Sequence, residues 1–222
     1  MTINKYLEHT LLKPEATVSD IIHLCQEAQK WQMRAVCVNP CYAGLARHLL
    51  GESSPDNIQL VTVVGFPLGE ERTETKVLAT KLALDEDHVD EIDMVMNMAA
   101  FKSGNQNGVV EDIAAVVQAA APFKVKVIIE TCLLTDQEKE TACKLVAKAG
   151  AAFVKTSTGF NKAGATVEDV ALLSRLAKGY GLEVKAAGGI RNLATAEKML
   201  AAGASRIGTS AGAVICSEEQ AK

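Results

Sequence analysis

The chain has 222 residues, long for one ordinary domain but normal for one α/β barrel, and a chain of this size buries roughly 70% of its unfolded surface without help from disulfides or metals. A net charge of −4, a pI near 5.6 and the lack of any run of five like charges argue against nucleic-acid partners. Residues 1–13 lack the apolar core of a signal peptide, and no stretch approaches the roughly 18 apolar residues of a membrane span, so a cytoplasmic protein without membrane contact is expected.

Short β-branched runs alternate with longer segments whose apolar residues recur at helical spacing. Leu7–Leu11 is a short apolar candidate for a first strand. A helix over Val18–Trp31 follows, opened by Thr17 as an N-cap. A strand is predicted at 34–39, another at 59–65 and then a helix over 74–85. Strand 91–97 and helix 109–120 come next, followed by strand 124–130 and helix 135–148, with Thr135 at its start. Strand 153–158 leads to helix 167–177 after Thr166, strand Glu183–Ala187 to helix 193–202, and Arg206–Thr209 is the last strand. Gly150 and Gly203 stand where a left-handed residue would end a helix.

Strands that alternate with helices imply a parallel sheet, either an open doubly wound sheet or a closed barrel. Eight units in 222 residues leave about 28 residues each, the lean end for a (β/α)8 barrel. That count and the absence of an early GxGxxG favour the barrel. With no linker or composition break, one domain over 1–222 is expected. Aromatics make up 4% of the chain and hydrophobic residues 48%, so the core is built from Ala, Val, Leu and Ile, as suits strands covered on both faces. The six cysteines form no CxxC pair and are read as reduced, mostly buried thiols. The four histidines are scattered, and no metal site is expected.

Charged residues inside strands need an explanation, because a buried charge costs several kcal/mol unless it is paired or solvated. Asp93 lies in Glu-Ile-Asp-Met-Val-Met-Asn, Lys155 in Phe-Val-Lys-Thr-Ser-Thr-Gly and Lys185 in Glu-Val-Lys-Ala-Ala-Gly-Gly. The two lysines sit on consecutive strands and would be neighbours if both point inward. A lysine desolvated beside another cation yields a neutral amine that can attack a carbonyl, and an inward aspartate can balance charge and move protons. Glu130 is a fourth candidate, expected to serve as a lysine partner. The loops after the last two strands, with Gly188, Gly189, Gly208 and Ser210, suit a phosphate, as does Gly159; Lys162 and Arg191 are possible helpers. The 65–69 segment, Gly-Phe-Pro-Leu-Gly, reads as a rigid shaped loop.

The motifs at 153–160, 184–191, 91–97 and 64–69, with Glu-His-Thr-Leu-Leu-Lys-Pro at 8–14, resemble those of the deoxyribose-phosphate aldolase family in order and over nearly the whole chain. The resemblance implies the barrel fold, a reaction without metal or organic cofactor, and a small sugar phosphate as substrate. It makes Lys155 the Schiff-base lysine and Asp93 and Lys185 the proton-handling pair. The glycines with Ser210 become a phosphate cradle, and Thr10 and Leu12 line the sugar pocket. Glu8 stands where the family commonly has Asp, and the tail lacks the tyrosine with which some members end. A homodimer is expected from exposed apolar helix faces. The residues alone leave open a Schiff-base aldolase with another donor, a phosphate-binding isomerase that uses Asp93, and a sugar-phosphate sensor without turnover.

Overall fold

A computed structural model describes residues 2–54 and 57–222. Strands β1 (Leu7–Leu11), β2 (Ala35–Val38), β3 (Gln59–Val64), β4 (Glu91–Val95), β5 (Lys124–Ile128), β6 (Phe153–Lys155), β7 (Glu183–Ala187) and β8 (Arg206–Thr209) pair in sequence order, all parallel. Pairing of Glu8 with Gly208 joins β1 to β8 and closes the barrel. The chain is a (β/α)8 barrel.

The helices are α1 (Val18–Trp31), α2 (Ala43–Leu50), α3 (Thr73–Asp85), α4 (Met98–Lys102), α5 (Gln106–Ala120), α6 (Asp136–Lys148), α7 (Val167–Lys178), α8 (Leu193–Ala201) and α9 (Gly212–Gln220). Thr17 and Thr135 form capping boxes with Asp20 and Glu138, and Thr166 caps the amide of Asp169. Gly150 and Gly203 take positive φ at the ends of α6 and α8. The sequence reading omitted α2, α4 and α9. The first two have eight and five residues, too few turns for a periodic signal, and α9 packs its apolar residues against α1 and α8 with little amphipathic contrast. Strands β2 to β6 end one to three residues before the predicted limits, because the chain there leaves the ladder for the loops at the barrel mouth.

Alternation along each strand sorts the side chains into two layers. Outward residues such as Leu7, Val36, Leu60, Ile92, Val127, Val154, Val184 and Ile207 pack under helix residues including Ile21, Ile113, Val146, Leu173 and Ile215. Each such aliphatic side chain contributes about 1.5–3 kcal/mol on burial. A smaller inner cluster, Leu12, Ala35, Cys37, Val61 and Val63 with Phe66 against it, fills the β2–β3 side of the interior. Cys25, Cys37, Cys143 and Cys216 are buried, Cys132 is half-buried and Cys41 exposed; all six are free thiols. Among the described residues no helix is long and apolar enough to cross a membrane.

Candidate active site at the barrel mouth

The rest of the interior is ionic. Glu8 on β1, Glu91 and Asp93 on β4, Lys126 on β5, Lys155 on β6, Lys185 on β7 and Arg206 on β8 converge there. Phe153 lies beneath, with Lys124, Lys126 and Arg206 at 5.5, 5.9 and 5.7 Å from its ring centre.

Asp93 is the hub. Its Oδ2 accepts from Lys155 Nζ at 2.7 Å and from Lys185 Nζ at 2.6 Å, and its Oδ1 accepts from Lys126 Nζ at 3.1 Å. Lys185 also donates to Glu8 Oε2. Lys126 reaches Glu91 Oε2 at 2.5 Å and lies 3.7 Å from Glu8 Oε1. The three lysines are therefore unequally neutralised. Lys126 faces three carboxylates, Lys185 two and Lys155 one.

This inequality sets their acidities. Burial tends to lower each lysine and to raise each carboxyl, and the neighbours decide the outcome. At Lys155 burial prevails over the pull of Asp93, and Lys185 repels the ammonium further, so its pKa lies below 10.5. At Lys185 burial is outweighed by Asp93 and Glu8, and at Lys126 by Asp93, Glu8 and Glu91, so both are held above 10.5. Burial of Asp93 is overcome by Lys126, Lys155 and Lys185, which keep it well below the ordinary carboxylate range. Three carboxylates thus face four cationic side chains, and the charges balance when Lys155 alone is neutral. Burial pushes the Cys37 thiol up to about 11, so it carries no thiolate at neutral pH although it shares this interior.

Above the lysines lies a cavity of about 300 Å³. Thr10, Leu12, Lys155, Gly159, Gly188, Gly189, Gly208 and Ser210 line it, along with Lys13, Thr158, Phe160 and Arg191. Every residue that the sequence assigned to a substrate or phosphate contact is on this wall except the helper Lys162, while Asp93 and Lys185 lie below its floor, both at 0% exposure. The loops fit closely. Gly188 has φ +86, and a Cβ there would stand 2.9 Å from Gly164 Cα. A Cβ on Gly208 would stand 3.1 Å from Lys185 Cε. Thr209 ties the last two loops together, donating to Ile190 O at 2.6 Å and accepting from Ala211 N at 2.9 Å. The 65–69 loop joins the mouth through Phe66, whose ring meets Phe160 edge-on at 5.3 Å. Lys162 does not line the cavity, whereas Arg191 does.

Glu130 differs from its predicted part. It accepts from the amide and hydroxyl of Thr158 and, among the described residues, pairs with no lysine. Glu91, Lys126 and Arg206 were not singled out from the sequence. Glu91 alone shares a strand and an inward position two residues away with a singled-out charge, Asp93, and Lys126 and Arg206 lie on other strands without such a signal. Among the described residues no group of three or more His, Cys, Asp or Glu is arranged to hold a metal ion.

A buried amine short of counter-charge, beneath a loop-lined cavity at the C-terminal mouth of a parallel barrel, is the arrangement of a barrel aldolase. The model of the DeoC/LacD family aldolase matches residues 4–218, and the chain belongs to that family. The deoxyribose-phosphate aldolase of Streptococcus gordonii is 52% identical over 221 residues, spanning 100% of this chain and 98% of the relative. Among solved structures, the aldolase QR15 superposes with a TM-score of 0.93 at 38% identity, over 99% of this chain and 96% of that one. The tetrameric deoxyribose phosphate aldolase of Aeropyrum pernix gives a TM-score of 0.88 at 32% identity, over 98% and 91%.

Proposed function

We propose that the chain is a deoxyribose-phosphate aldolase that cleaves 2-deoxy-D-ribose 5-phosphate reversibly to D-glyceraldehyde 3-phosphate and acetaldehyde through a Schiff base on Lys155. The observation that carries this reading is the contrast among the three interior lysines. Lys155 has the fewest anionic partners, has its pKa lowered by burial, and is the one of the three that lines the cavity.

The neutral amine of Lys155 attacks C1 of the open-chain sugar, and loss of water leaves a protonated imine. A water ordered by Asp93 and Lys185 takes the C3 hydroxyl proton, and the imine accepts the electrons of the C2–C3 bond as it breaks. Glyceraldehyde 3-phosphate leaves, the remaining enamine is protonated, and hydrolysis frees acetaldehyde and the lysine. The imine is the electron sink, so the scheme uses no metal or organic cofactor. Gly159, Gly188, Gly189, Gly208 and Ser210 would hold the phosphate and Thr10 and Leu12 the sugar, so that remote binding energy sets C1 against the amine.

In this reading the enzyme is one barrel domain over 1–222, cytoplasmic, serving deoxyribose phosphate catabolism. Leu78 and Leu82, exposed one turn apart on α3, support a homodimer, which light scattering would test.

Borohydride trapping with deoxyribose 5-phosphate or acetaldehyde, followed by peptide mass mapping, tests the scheme. The expected product is an N-ethyl group on Lys155. A folded, ligand-binding protein that yields no adduct on Lys155 would sink the Schiff-base mechanism.

A further inference from the structure

Glu130 lies two residues past the end of β5, beside the strand that carries Lys155, and the proposed chemistry makes no use of it. Its side chain is buried at 4% exposure, and no cation among the described residues forms an ion pair with it. Its side-chain hydrogen bonds among the described residues all go to one residue. Thr158 N donates to the two carboxyl oxygens at 3.3 and 3.4 Å, and Thr158 Oγ1 donates to Oε2. The same hydroxyl accepts from Phe160 N at 3.1 Å. Glu130 also holds φ 51 and ψ 67, a left-handed conformation that costs a non-glycine residue about 1–2 kcal/mol. A buried acid without a cation, on an unfavourable backbone, is thus committed to fixing a single turn.

That turn is part of the cavity wall. Thr158, Gly159 and Phe160 all line it, and a Cβ on Gly188 would lie 3.6 Å from Gly159 Cα, so the turn abuts the glycine loop after β7. Here we propose that Glu130 is a positioning residue, which acts through Thr158 to hold the 158–160 turn against the Gly188 loop and so sets the site for the phosphate of the substrate. The proposal rests on the aldolase reading above. It assigns Glu130 to binding of the anionic end, apart from the amine chemistry.

Two variants separate reach from charge. Glu130→Asp keeps the charge, tolerates the left-handed backbone, and withdraws the carboxyl by one methylene. Glu130→Gln keeps the reach and an acceptor oxygen. Glu130→Asp is expected to raise KM for deoxyribose 5-phosphate about tenfold, the loss of one buried hydrogen-bonded contact, with kcat and the KM for unphosphorylated deoxyribose within about twofold of wild type. Glu130→Gln restores KM to near the wild-type value. Thr158→Val, which removes the hydroxyl and leaves Glu130 untouched, reproduces the rise and decides the matter should the aspartate variant not fold. An unchanged KM, an equal loss on both sugars, or a glutamine variant as impaired as the aspartate one would overturn the proposal. Wild-type enzyme with no preference for the phosphorylated sugar overturns the phosphate site itself, and that failure is read before any variant is made.

Discussion

Lys155 and Lys185 are paired in register on adjacent strands and donate to the same oxygen of Asp93, at 2.7 and 2.6 Å. They differ in what else they touch. Lys185 has a second carboxylate, Glu8, and Lys155 has none. One lysine is thereby kept a cation and the other freed to become an amine, so the choice of nucleophile is written into the distribution of acids.

Lys155→Leu is therefore expected to abolish cleavage while leaving the barrel folded. Asp93 keeps Lys185 and Lys126 as partners, so no buried charge is orphaned. Replacing a desolvated amine by an aliphatic chain of similar volume removes a buried polar group, and a thermal midpoint at or above that of wild type is expected. Cleavage near the wild-type rate, followed by coupled oxidation of the released aldehyde, would refute the assignment.

The pH dependence of imine formation should follow the same electrostatics. Lys155 reacts as the free amine, so the trapping rate rises with pH through a pKa that burial and Lys185 hold below 10.5. Lys185 is one of the charges that lowers it. In Lys185→Met the rise in trapping rate is expected at higher pH than in wild type, measured with acetaldehyde and cyanoborohydride, and cleavage itself should nearly vanish. A rise shifted to lower pH would contradict the arrangement described.

Stability has its own pH limits. Asp93 has its pKa lowered in the folded state despite burial, so its contribution is present above pH 3.8 and lost as pH falls below that through the folded pKa. Lys126, whose burial is outweighed by its three carboxylates, contributes below pH 10.5 and is lost above it. Lys155 runs the other way. Its lowered pKa means the unfolded chain binds more protons just below pH 10.5, so stability from this group rises with pH there. Chemical denaturation across pH should show acid loss in wild type and a flatter approach to pH 10.5 in Lys155→Leu.

Much of this was legible in the sequence because short β-branched runs alternate cleanly with helical periods. That rhythm and its count point to the barrel, and Asp93, Lys155 and Lys185 stand out as charges inside apolar strands. The remaining ionic residues did not. Lys126 in Lys-Val-Lys-Val-Ile reads locally like any strand entered from solvent, and Glu91 and Arg206 open their strands, where charges are ordinarily hydrated. Only closure of β1 onto β8 brings Glu8 within 4.0 Å of Arg206 and 3.7 Å of Lys126. Charge alone suggested that Glu130 would meet a lysine. Its partner is instead Thr158, and it holds a left-handed φ that no residue type at 130 announces.

Lys126 gives the sharpest contrast between catalysis and structure. It is fully buried and touches no part of the cavity, yet it holds Asp93, Glu91 and Glu8 together from below. Lys126→Met keeps the length of the side chain and removes the charge, leaving Glu91 with no other lysine in contact among the described residues. Breaking a buried pair in this way costs about 3–5 kcal/mol, so a loss of roughly 6–20 °C in the unfolding midpoint is expected. Asp93 would still hold Lys155 and Lys185. The variant that remains folded at low temperature should therefore form the borohydride adduct on Lys155, with kcat reduced far less than in Lys155→Leu. An adduct-free but fully stable Lys126→Met would place this lysine in the chemistry instead.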